Sequence, residues 1–163
     1  MKNLRKRVGR FLLMFAMLFA GILLPQNTKA VWAADGSMTV HFLDVGQGLS
    51  VLVESEGQTL LYDGGPRSAS SFVVSYLQER QISEIDYLIS SHYDEDHVSG
   101  LIGCLNAFDV ANVIGADYVH DSSLYDSFMD GVAAQGLTVQ HPAVGTEYEF
   151  GSGKFTILSV YFS

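Results

Sequence analysis

His92-Tyr93-Asp94-Glu95-Asp96-His97 is the stretch on which the reading of this chain turns. It places two imidazoles and two carboxylates, at His92, Asp94, Asp96 and His97, within six residues. An apolar strand, Ile85 to Ser90, runs directly into it, and a helix containing Leu101 and Ile102 follows. Ligands at the C-terminal mouth of a strand can converge on one point. The plainer reading is a solvated acidic loop in which Asp94 or Asp96 caps the following helix. A cap needs one carboxylate, however, and not two flanking histidines. Carboxylates crowded this closely raise one another's pKa, whereas a divalent ion reverses that logic and holds them ionised. Imidazole with carboxylate suits Zn, Mn or Fe better than Ca, which prefers all-oxygen shells. The absence of thiolate favours a catalytic site with an open position over a closed structural one.

Outward from this loop, strands and helices alternate. Thr39 to Asp44, Ser50 to Glu54 and Gln58 to Tyr62 are rich in β-branched and aromatic residues and are separated by glycine-bearing turns, which predicts an antiparallel meander. Ser70 to Arg80 carries Phe72, Val73, Tyr76 and Leu77 at helical spacing. Helices are further expected over His97 to Phe108 and Leu124 to Gln135, the latter ended by Gly136, with a strand over Val110 to Ile114 between them. The β-α-β-α order implies parallel strands. Glu147 to Phe150 and Lys154 to Val160, joined at Gly151-Ser152-Gly153, are expected to form a hairpin.

Three blocks in fixed order carry a resemblance. Val40-His41-Phe42-Leu43-Asp44-Val45-Gly46-Gln47-Gly48, then Leu60-Leu61-Tyr62-Asp63-Gly64-Gly65, then Ser91 to Gly100 around the acidic loop are similar to the metallo-β-lactamase superfamily, and within it to the ComEC-type competence branch. The resemblance implies an α/β fold, an α+β sandwich of four αβ/βα layers, of which 35–163 would supply the N-terminal half and the start of the second. It covers Val40 to about Val160, with no match to the later His and bridging Asp, so a chain cut short of a longer protein is expected. The superfamily's metal loop is His-x-His-x-Asp-His. His92 then corresponds to a first-site ligand, and Asp96 and His97 to second-site ligands. Asp94 stands where an imidazole is commoner, which favours a harder ion such as Mn over Zn. One or two divalent ions are implied. Asp63 matches an Asp that orients the metal loop rather than binding metal, although Asp-Gly is also a turn signal. Asp96 and Asp63 are the residues expected to serve catalysis.

Charge and composition bound the partners. The 163 residues are 48% hydrophobic, enough for a packed domain and too much for a disordered chain. Cys104, the single cysteine, excludes an internal disulfide, and its neighbours Leu101, Ile102 and Leu105 predict burial. Six of the nine cations precede Asp35, where no acid occurs; the remainder sets Arg67, Arg80 and Lys154 against 18 acids, a balance of −15. Extended nucleic acid is therefore disfavoured as a partner, since its binding relies on several phosphate-neutralising cations. Lys2 to Arg10, the apolar run Phe11 to Leu24 and the small residues near Ala30 to Ala34 have the layout of a secretory signal peptide over 1–34. As a helix the run would reach roughly 21 Å, short of the ~30 Å hydrocarbon core, which favours cleavage over a signal anchor. A secreted or extracytoplasmic protein is expected, touching membrane only through that segment.

The leading functional reading is thus an exported metal-dependent hydrolase, with metal-bound hydroxide attacking a phosphodiester or ester-like bond of a small-molecule or nucleotide-like substrate. Two alternatives stand beside it: a truncated, inactive half-domain, and a non-enzymatic acidic metal-binding surface module. Tyr118, His120 and Asp121, and likewise His141-Pro142, are expected to be solvated loops, and His41 an ordinary strand residue.

Overall fold

In the computed structural model, which describes residues 36–159, a six-stranded mixed sheet carries helices against one face and a hairpin against the other. The expected signal segment, 1–34, lies outside the described residues. Strands β1 (Met38–Phe42), β2 (Val51–Ser55) and β3 (Gln58–Tyr62) form the antiparallel meander. Strands β4 (Glu84–Ile89), β5 (Asp109–Ile114) and β6 (Val139–Gln140) then add in parallel beside β3, giving the order β1-β2-β3-β4-β5-β6. Helices α1 (Ser70–Glu79), α2 (Glu95–Ala107) and α3 (Ser123–Ala134) make the connections that parallel pairing demands.

Register explains the core. Leu52, Leu61, Leu88 and Val113 are cross-strand partners in one row, all fully buried beneath Val73 and Leu77 of α1, Leu101 and Cys104 of α2, and Phe128 and Val132 of α3. Side chains alternate along a strand, so Leu60, Ile89 and Ile114 point the other way. There they meet Phe150, with Tyr87, Tyr148 and Phe155 packed around them. The last three come from β4 and from the hairpin β7 (Glu147–Phe150) and β8 (Gly153–Thr156), and the Tyr87 and Phe155 rings meet edge-on at 4.9 Å.

The expected elements are present with shifted ends, and three differences matter. Helix α2 starts at Glu95 and not at His97, because the Asp94 carbonyl already accepts the His97 and Val98 N–H groups. Asp96 and His97 therefore sit in the first helical turn. Strand β6 was not expected at all. Strand β8 ends at Thr156, short of the expected Val160, which itself lies outside the described residues.

Candidate metal centre

The parallel strands β3, β4 and β5 end side by side, so the residues that follow each of them share one edge of the sheet, the edge at which open α/β sheets place ligands. A backbone seam locks these segments together. Gly64 N–H donates to the His97 carbonyl at 2.7 Å, Gly100 N–H to the Gly65 carbonyl at 3.1 Å, and Gly65 N–H to the Leu49 carbonyl at 2.8 Å. A Cβ on Gly100 would overlap the Gly64 carbonyl, and one on Gly48, whose φ is +114°, would overlap the Asp96 carbonyl. The three motif blocks of the sequence are thus three strips of backbone in mutual contact around the acidic loop.

Asp63 closes β3 with a left-handed φ of 58° and is fully buried. Its Oδ1 accepts from Ser91 N–H at 2.8 Å and its Oδ2 from Ser91 Oγ–H at 2.6 Å, while His97 Nδ1 lies 2.8 Å from the same Oδ2. The turn reading and the orienting reading of Asp63 are therefore not alternatives. The backbone makes the turn, and the carboxylate that the turn directs inward reaches both the loop and the helix.

These bonds settle the imidazoles. Ser91 spends its single proton on Asp63, so its oxygen accepts from His92 Nδ1, 2.9 Å away. His97 Nδ1 likewise donates to Asp63. In the neutral rings, Nε2 is then the lone-pair atom of each. His92 Nε2 lies 3.4 Å from Asp94 Oδ2, and His97 Nε2 lies 3.9 Å from Asp96 Oδ2. The two ring centroids are 4.0 Å apart. A lone pair facing a carboxylate oxygen at this range is repulsive unless a cation or a proton stands between them.

Asp94 occupies the N-cap position of α2, yet its side chain makes no capping hydrogen bond. The capping reading fails for this residue: its exposed carboxylate turns to His92 and, on the far side, to His120 Nε2 at 3.7 Å from Oδ1. Glu95, by contrast, is engaged away from the loop, where it accepts from Arg67 N–H at 2.9 Å. His120 was expected in a solvated loop and instead reaches the site. Tyr93 brings it there. Its buried ring packs on Tyr118 at 5.1 Å, its hydroxyl donates to the Ala116 carbonyl at 2.7 Å, and its N–H donates to Tyr118 Oη at 3.2 Å. Burial pushes the Tyr93 phenol up, reinforced by Tyr125, Tyr118 and Asp117, so it remains a protonated donor. His141 stays outside the site, bonded to the Gly115 carbonyl at 3.0 Å.

Among the described residues no three His, Cys, Asp or Glu side chains meet around one point as they stand. The donors face one another in pairs. Their N···O separations of 3.4 to 3.9 Å exceed hydrogen-bond lengths. They resemble instead the ~3.4 Å between two ligands bound tetrahedrally at ~2.1 Å to one ion. The donor chemistry therefore fits a divalent cation pair by pair, with side chains of α2's first turn and of the preceding loop within reach.

A family model described as the metallo-beta-lactamase superfamily matches residues 43–155. Recombination protein 2 of Haemophilus influenzae is 35% identical over 116 residues, covering 68% of this chain and 13% of that protein. Competence protein ComA of Neisseria gonorrhoeae is 36% identical over 85 residues, covering 52% of this chain and 12% of that protein. The chain thus spans about an eighth of either relative. Among solved structures, a metallo-beta-lactamase of Cronobacter sakazakii superposes with a TM-score of 0.51 at 18% identity, over 69% of this chain and 46% of that one. The chemotaxis sensor ODP, solved as a peroxy diiron species, superposes with a TM-score of 0.52 at 25% identity, over 76% of this chain and 50% of that one.

Proposed function

The chain belongs to the metallo-beta-lactamase superfamily, and on that premise we propose that it is an exported, metal-dependent hydrolase of phosphodiester or other ester-like bonds. The observation that carries this reading is the pairing of His92 with Asp94 and of His97 with Asp96, each imidazole held from its Nδ1 side. His92, Asp94, Asp96 and His97 would hold one or two ions of Zn or Mn. Such an ion, when bound, supplies Lewis acidity that yields a nucleophile from water near neutral pH. The chain's own residues do the rest. Asp63 positions His97 directly and His92 through Ser91, which fixes both tautomers. Asp96, in the first turn of α2, would orient the attacking water as a hydrogen-bond acceptor. The diiron state recorded for the sensor ODP supports a two-ion capacity in this fold.

Substrate size follows from charge. Of the cations within the described residues, Arg80 is paired with Glu54 at 2.6 Å and Lys154 with Glu147 at 2.7 Å. Among the described residues that leaves Arg67, a single cation and no basic track for an extended polyanion, which favours a small-molecule or nucleotide-like substrate. Export rests on the signal-like residues 1–34; among the described residues no helix is long and apolar enough to cross a membrane. A second reading, a catalytically inactive half-domain, draws on the absence of a converged three-ligand group among the described residues.

The test is hydrolysis of bis(p-nitrophenyl) phosphate by the purified chain with added Mn or Zn, alongside calorimetric titration of the same ions. Ion-dependent hydrolysis that is lost in His92→Ala is the expected result. Binding without turnover would favour the half-domain, and the absence of both would overturn the proposal.

A further inference from the structure

His120 lies outside the four residues assigned above, on the loop between β5 and α3. Three observations draw it in. First, its position is fixed by aromatic packing: Tyr93, within the acidic loop, clasps Tyr118, and the Tyr118 ring in turn meets His120 edge-on at 6.4 Å. Second, its ring is held from the same side as those of His92 and His97. His120 Nδ1 lies 2.9 Å from Ser122 Oγ, and Ser122 is itself anchored as the N-cap of α3, accepting from Tyr125 N–H at 3.2 Å. Third, Nε2 is thereby aimed at Asp94, whose two oxygens are divided between imidazoles: Oδ2 stands 3.4 Å from His92 Nε2 and Oδ1 stands 3.7 Å from His120 Nε2. Neither separation is a hydrogen bond. Asp94 has given up the capping bond its position offers, so its side chain is spent between these rings.

We propose that His120 is a third imidazole donor of the metal centre, joined to His92 through Asp94. The inference rests on the metal-binding reading above and extends it. His120 would restore, from a different segment of the chain, the imidazole that the loop lacks where Asp94 stands. The consequence is one of selectivity. A set of His92, Asp94 and His120 is softer than His92 and Asp94 alone, so it favours Zn or Co over Mn.

The full chain, His120→Ala, His120→Gln and the control His141→Ala are to be titrated calorimetrically with Zn and with Mn, and their Co(II) visible spectra recorded. Removal of His120 is expected to weaken Zn binding by at least the ~10- to 100-fold that losing an outer-shell partner of a ligand costs, to weaken Mn binding less, and to change the Co(II) bands, with His141→Ala unchanged. The glutamine variant retains a polar side chain without the imidazole, so a defect shared by both variants, with unaltered circular dichroism, is not one of folding. Zn affinity and Co(II) spectrum unaffected in both variants would overturn the role of His120 while the metal-binding reading stands. Failure of the wild-type chain to bind either ion would instead remove both.

Discussion

Two histidines in this chain each set Nε2 toward a carboxylate and carry opposite implications. His41, on β1, has Tyr76 Oη 3.1 Å from Nδ1, and its buried Nε2 lies 3.0 Å from Glu54 Oε2 in an ion-pair contact that makes no hydrogen bond. Arg80 then caps that carboxylate at 2.6 Å and sits 5.9 Å from the centre of the Tyr76 ring. His97 has its short contact at Nδ1, 2.8 Å from Asp63, but its Nε2 is 3.9 Å from Asp96, and among the described residues no Lys or Arg is paired with either carboxylate. Around His41 the charges close on themselves, carboxylate to guanidinium, and tie the edge of the sheet to α1. Around His97 they do not close, and the excess is negative. A structural histidine and a candidate ligand differ here less in what surrounds them than in whether the protein itself completes the circuit.

The hardest test of that contrast is Asp63. In Asp63→Asn the amide keeps an acceptor for Ser91 N–H but puts an N–H where His97 and the Ser91 hydroxyl both need an oxygen. The expected cost is about 1 to 3 kcal/mol in chemical denaturation, the range for stranding a buried hydrogen-bonding group. Asp63→Ala should cost more, because a φ of 58° adds backbone strain of about 1 to 2 kcal/mol that asparagine tolerates better. Both variants should also lower Zn or Mn affinity by about 10- to 100-fold. Unchanged stability in Asp63→Asn would mean that the network around His97 is not the anchor described.

Crossing the two histidines comes next. His97→Ala should remove most of the heat of ion binding and change stability by less than Asp63→Ala does. His41→Ala should leave ion binding intact and cost about 1 to 2 kcal/mol, since it strands Tyr76 Oη and loosens Glu54. Titration calorimetry and urea unfolding on both variants decide it. If His41→Ala impaired ion binding as His97→Ala does, the contrast between closed and open circuits would fail.

How much of this was legible in the sequence follows from what holds each part. The motif blocks were legible because they stand together, in a fixed order, in a known family; the structure shows what their residue types do, with Asp63 reaching His97 directly and His92 only through Ser91, and glycines where backbones touch. Cys104 was legible from its neighbours; it is fully buried, and desolvation pushes its thiol up to about 12. Strand β6 was not, because Val139 and Gln140 are strand only through pairing with Val113 and Ile114. The start of α2 was missed because the Asp94 backbone, rather than any side chain, accepts the first helical bonds. His120 was out of reach for a different reason: its position depends on Tyr93 packing against Tyr118, 25 residues away in sequence. A residue inside a recurring motif can be read at long range, and one placed only by packing cannot.

The same distinction sets the smallest effects. Tyr76→Phe removes the hydroxyl at His41 Nδ1 while keeping the ring that packs on it at 5.9 Å, so it should cost about 0.5 to 1.5 kcal/mol. Arg80 and Glu54 form a half-exposed pair, and a double-mutant cycle with Arg80→Ala and Glu54→Gln should return a coupling of only about 0.2 to 1 kcal/mol. That coupling should shrink in 1 M salt, where the Debye length falls to about 3 Å. A salt-insensitive coupling of several kcal/mol would show that the circuit at His41 is closed more tightly than its exposure allows. The edge strand would then be held by electrostatics and not, as its geometry indicates, by the ladder to β2 with the Tyr76 and His41 rings packed over it.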